Sequence, residues 1–124
     1  MAYKLAVGEF IEFPVTLEFN DAGNQRKFNF RLVSKRLPEA VLSKHTDQMI
    51  SAAASIDGRV EATNALLQSY VTDWRGQNLV LDDEGQPAAF SAEAFAVMLQ
   101  QNGAAVEISR ALTEANRAKG KPGN

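Results

Sequence analysis

Two runs of strict alternation around a short polar turn constrain this chain more than any other feature. Phe13, Val15, Leu17 and Phe19 fall on one side of an extended segment, with Pro14, Thr16 and Glu18 on the other. Asn20-Asp21-Ala22-Gly23-Asn24 follows, dense in residues that tolerate turn dihedrals. Phe28, Phe30 and Leu32 then alternate with Lys27, Asn29, Arg31 and Val33. Successive side chains of an extended backbone point to opposite faces, so a period of two marks a half-buried strand. Two such runs about a glycine-bearing turn predict an antiparallel β-hairpin from about Phe13 to Leu32. Pro14 has no amide proton to give a ladder, so the first strand is expected to be a sheet edge there or to pair only beyond it.

The period changes after Leu37-Pro38. Proline suits the first position of a helix, where a missing donor costs nothing. Val41, Leu42, His45, Met49 and Ile50 recur mostly at spacings of three and four and predict an amphipathic helix ending near Ala54. Val60, Leu67, Tyr70, Val71 and Trp74 form the stripe of a second helix that ends before Gly76, with Thr63 as its polar member and Asp57 as a candidate cap. Leu79-Val80-Leu81 is too short to classify by period, and the turn-rich Asp82–Pro87 stretch follows it. Ser91 is a good N-cap for a third helix carrying Phe95, Met98 and Leu99. Asn102-Gly103 should stop that helix through a left-handed residue. Ala105, Ile108, Leu112 and Ala115 give a fourth.

The expectation is therefore an α+β fold, mainly α, with an N-terminal antiparallel β-hairpin followed by about four helices. Val60, Leu67, Tyr70 and Trp74 are expected in its core. Residues 1–118 read as one domain, with a β-hairpin region over 1–35 and a helical region over 36–118. Residues 119–124 contain Pro122 and two glycines and have no apolar anchor, so a disordered tail is expected there.

Composition removes several function classes. There is no cysteine, which excludes disulfide scaffolds, thiolate metal sites and cysteine nucleophiles together. His45 is the single histidine, so histidine-pair zinc sites are excluded within one chain. Thirteen basic and fifteen acidic side chains give a net charge of −2, which lacks the basic face that phosphate neutralisation needs. No stretch approaches the ~20 apolar residues of a membrane span, and a secretory signal is not expected after Met1. The cytoplasm is the expected compartment.

The remaining candidates for chemistry are few. Asp82-Asp83-Glu84 offers three adjacent carboxylates, but neighbouring loop side chains diverge and hard cations need several convergent oxygens. A solvated turn is the expected reading. His45 lies on the apolar stripe of the first helix, with no nucleophile elbow and no phosphate-cradling glycine loop in the chain to serve it. It is expected to be a packed or helix-surface histidine. Trp74 is expected in the core, and Arg117, Lys119 and Lys121 as solubilising charges of the tail. No catalytic residue, cofactor or metal ligand is assigned, and the sequence names no partner-binding residue.

One order of features carries a resemblance. A helix ends in Tyr70-Val71-Thr72-Asp73-Trp74. Leu79-Val80-Leu81-Asp82-Asp83-Glu84-Gly85-Gln86-Pro87 follows, then Phe90-Ser91-Ala92-Glu93-Ala94-Phe95, a short helix, a second helix and the polar end Gly120-Lys121-Pro122-Gly123-Asn124. Over Thr63–Asn124 this resembles the tail assembly chaperones of long-tailed bacteriophages and prophages. The resemblance implies a non-enzymatic role in host-cell morphogenesis. Such a chaperone binds the long, aggregation-prone tape measure protein, keeps it soluble, helps tail tube subunits assemble around it, and is absent from the finished virion. Self-association is expected, and neither nucleic acid nor membrane is an expected partner. The alternative is a minor tail or tail-completion protein retained in the virion, its hairpin adding strands to a neighbour's sheet. An enzyme built on His45 or Asp82–Glu84 is a third, weaker reading.

The family also implies a longer form made by −1 ribosomal frameshifting. Pro122-Gly123-Asn124 can be encoded CCG GGA AAC, which contains the slippery heptamer G GGA AAC. A polar tail is where an extension attaches without disturbing a core. The extended form is expected to contact the tail tube protein.

Overall fold

A computed structural model describes residues 2–51 and 56–119. The fold is mixed α+β, with a three-stranded antiparallel sheet and four helices among the described residues. The hairpin is β1 (Phe10–Asp21) and β2 (Asn24–Lys35), longer at both ends than its alternating core. Only Ala22 and Gly23 separate the strands, and both have positive φ, 53° and 91°. Two positive φ values in a two-residue loop match the right-handed twist of the flanking strands. The Asn20 side chain accepts the Gly23 amide at 2.8 Å and fixes the turn. β1 lies at the sheet edge, as Pro14 requires.

The helices are α1 (Glu39–Ser51), α2 (Ile56–Tyr70), α3 (Ala92–Leu99) and α4 (Ala104–Asn116). The amides of Val41 and Leu42 donate to the Pro38 carbonyl, so the proline opens α1. Ser91 caps α3 by accepting the Ala94 amide at 3.0 Å. Gly103 is left-handed at φ 87°, and its carbonyl accepts the Glu107 amide, so it begins α4 rather than closing α3, whose cap is Gln100. α4 packs on β1 and α2, and α3 on α2 and α4. The inner face of the sheet, with Phe13, Val15, Leu17, Phe30 and Leu32, meets Phe95, Met98, Ile108 and Leu112 in one core.

Several further expectations are corrected. The hairpin is not the whole sheet: Val71–Arg75 is a third strand, β3, paired antiparallel with β2, where the stripe through Val71 and Trp74 predicted continuing helix. The reason is a β-bulge. Val33 opposes Asp73 while Ser34 opposes Val71, which leaves Thr72 as an extra residue. Its hydroxyl donates to the Val33 carbonyl at 3.3 Å. The extra residue turns Val71 and Trp74, three apart, onto the same buried face. Val60 is not in the core but 47% exposed, because the described burial on α2 is confined to its second half, at Thr63 and Leu67. Ile50 is likewise exposed, and Tyr70 is only half-buried. Leu67 and Trp74 are buried as expected. The expected end of α1 near Ala54, the Met49 side chain, the capping role of Asp57 and the tail over 120–124 lie outside what is described.

Candidate functional site

The residues singled out in the sequence do not converge on one site. Asp82, Asp83 and Glu84 sit at the tip of a loop closed by a bridge between Leu81 and Pro87. One Asp82 side-chain oxygen accepts the amides of Glu84 and Gln86, each at 2.9 Å, so this carboxylate shapes the turn. Among the described residues no three His, Cys, Asp or Glu side chains gather closely enough to hold a metal ion. No described helix is long and apolar enough to cross a membrane.

The segment from Trp74 to Phe95 forms one folded unit. The Trp74 indole donates to the Ala88 carbonyl at 3.0 Å and stands edge-on to Phe90, with ring centroids 5.2 Å apart. Phe95 packs against both rings. Gln77, 4% exposed, holds the loop from inside. Its amide nitrogen donates to the carbonyls of Val80 and Ala88, and its oxygen accepts the amides of Leu79 and Val80. Buried backbone groups need such partners, and one side chain satisfies four here. Sequence reasoning passed over Gln77, because a glutamine in a loop gives no periodic signal.

His45 faces α2 from α1 and is 8% exposed. Among the described residues its buried Nδ1 has no hydrogen-bond partner, nor has the side-chain oxygen of Asn64 on α2. Burial disfavours the imidazolium and holds the His45 pKa below its ordinary value. His45 lines a trough of about 240 Å³ between the two helices. On α1 the lining residues Val41, Lys44, His45 and Gln48 stand at helical spacings of three and four. On α2 the facing strip is Ala62, Ala65, Leu66 and Ser69, at the same spacings.

Tyr70 joins this trough to a larger depression of about 840 Å³ on the sheet side. One wall is the N-terminal arm. The Arg36 amide donates to the Glu9 carbonyl at 2.7 Å and its guanidinium to the Gly8 carbonyl at 3.0 Å, which extends the hairpin by one step. Before that anchor the arm carries Tyr3, Leu5 and Val7, with Phe10 just after it, and all four are exposed, Tyr3 by 87%. This surface leaves no mark in the residue pattern, since Tyr3, Leu5 and Val7 alternate too briefly to separate from a strand.

The opposite face of the sheet is different in kind. There Glu12 accepts from Arg31 and pairs with Arg75, and Lys27 pairs with Glu18. It is a self-neutralised polar face. Comparison with family models, curated proteins and solved structures gives no significant match for this chain.

Proposed function

We propose that this chain is a non-enzymatic tail assembly chaperone of a long-tailed bacteriophage, binding the tape measure protein and assisting tail tube assembly. The observation that carries the reading is the apolar arm: Tyr3, Leu5, Val7 and Phe10 stand in solvent beside a wide depression. Clustered exposed apolar side chains mark interaction surfaces, and a holdase needs one. The order of features from Trp74 through the Asp82–Pro87 loop to Phe95 supports the family assignment. The protein acts in the host cytoplasm, self-associates, and leaves before the virion is complete. A fraction of chains, extended by slippage at the codons for Pro122-Gly123-Asn124, contacts the tail tube protein.

Co-expression tests the central claim. The tape measure protein encoded beside this gene should gain soluble yield when this chain is present. Equal solubility with and without it, at matched expression, sinks the chaperone reading. Purified virions test the rest: a chain retained in the particle is a structural tail protein, with the free edge of β1 as its docking strand. Sequencing the codons for Lys119 to Asn124 tests the extension, which fails if they hold no slippery heptamer.

A further inference from the structure

The ion pairs of this protein leave a pattern in what they omit. Twelve of its basic residues are described, and seven of them pair with carboxylates: Arg26, Lys27, Arg31, Arg75, Arg110, Arg117 and Lys119. Lys4, Lys35, Arg36, Lys44 and Arg59 have no ion pair among the described residues. Four of these five line the joined depressions, Lys4, Lys35 and Arg36 in the larger and Lys44 in the trough. Glu9 is the one carboxylate among their described lining residues. The floor between the cations is apolar, with Leu5, Val7, Phe10, Pro38 and Tyr70 on one side and Val41 and Leu66 on the other. A chain of net charge −2 thus places four of the five basic side chains without an ion pair among the described residues around this apolar groove.

We infer that this groove binds an acidic amphipathic helix of a partner polypeptide. The helical form follows from the trough, whose two walls are strips of residues at i, i+3, i+4 and i+7, with the small Ala62 and Ala65 on one of them. A third helix laid there presents its own apolar stripe to both walls. The acidic flanks follow from the lysines, which stand at the rim and are exposed. Rim charges of one sign steer an opposite partner and reject a like one. The groove takes this helix whichever polypeptide supplies it, so the inference stands apart from the tail-assembly reading.

The test uses the full chain and a fluorescein-labelled synthetic helix of about 16 residues, roughly four turns. Its leucines follow the i, i+3, i+4, i+7 pattern and its flanks carry glutamate. Anisotropy should show saturable binding that weakens as salt rises, since exposed charges are screened within about 10 Å at 0.1 M. Replacing the glutamates by lysine, or the leucines by serine, should abolish it. The triple change Lys4→Glu, Lys35→Glu and Lys44→Glu should weaken binding by about tenfold or more, with the fold intact by circular dichroism. The matched triple Lys27→Glu, Arg110→Glu and Lys119→Glu alters net charge equally and should have a much smaller effect. Leu5→Ser with Val7→Ser should weaken binding without changing its salt dependence. No binding of the acidic helix up to about 1 mM, equal binding of the basic helix, or equal loss in the two charge-reversal triples overturns the proposal. A concentration-dependent dimer that the groove triple dissolves also overturns it, because a second copy then fills the groove. Peptide binding without any gain in tape measure solubility removes the chaperone reading and leaves the groove standing.

Discussion

The backbone amide of Leu37 donates to the side-chain oxygen of Asn116 at 2.8 Å, across 79 residues of sequence. Leu37 is buried at the junction between the sheet and α1, and Asn116 is the last residue of α4. The same side chain donates its nitrogen to the Leu112 carbonyl at 2.8 Å. One amide thus closes the end of α4 and ties it to the start of the first helix. Asn116→Ala removes both bonds and leaves the Leu37 amide unsatisfied, a loss of about 1–3 kcal/mol. Denaturant unfolding measures it, and a change within about 0.5 kcal/mol, as at ordinary surface sites, shows that the tie carries no weight.

Leu67 and Val60 lie two turns apart on α2, and only one of them is covered. Leu67→Ala should cost about 2–5 kcal/mol, as buried leucine truncations do. Val60→Ala should stay within about 0.5 kcal/mol. Equal losses at the two positions contradict the burial seen along this helix.

Gln77 can be tested by removal. Gln77→Ala leaves the buried Val80 amide without an acceptor. The expected destabilisation is about 1–3 kcal/mol. Amide exchange should speed up first between Leu79 and Ala88, ahead of the sheet, because the loop loses its internal anchor.

The β1–β2 turn holds Ala22 in the left-handed region, at φ 53°. A Cβ there strains the backbone by about 1–2 kcal/mol, a penalty that asparagine relieves. Ala22→Asn also gives the Asn-Gly pair that such two-residue turns favour. Thermal unfolding should rise, by an amount matching up to about 1 kcal/mol. An unchanged or lower midpoint refutes the turn geometry.

His45 makes stability depend on pH in a known direction. Its folded pKa is held below the ordinary 6.5 by burial. Between the folded value and about 6.5, the unfolded chain binds more protons than the folded one, so stability falls as pH drops through that window. Above about 6.5 the His45 contribution is fully present. His45→Gln should flatten the profile just below about pH 6.5, above the range where ordinary carboxylates titrate. A profile with the same slope in both proteins assigns the dependence elsewhere.

Trp74 shows where sequence reading succeeds and where it misleads. Its burial was legible, since it closes an apolar stripe. Its element was not. A spacing of three between Val71 and Trp74 is the signature of a helix face, and a bulge at Thr72 produces the same spacing in a strand. The Gln77 hub and the groove at Tyr70 were hidden for a related reason. Each is built from residues of separate segments, and none of those segments is periodic at the point that matters.

The sequence by itself determined the hairpin, the Ser91 cap and the apolar faces of α3 and α4. These rest on local rules: side-chain period, turn dihedrals, and donors that a residue does or does not have. Only the tertiary structure decided that Val71–Arg75 leaves the helix to pair with β2, that Val60 stays uncovered, and that four basic side chains with no ion pair among the described residues meet around one apolar groove. Pairing across β2 supplies backbone hydrogen bonds and a buried face for Trp74 that local propensity does not contain. Coverage and charge clustering depend on which distant segments pack together, and the spacing of residues along one segment carries no record of that.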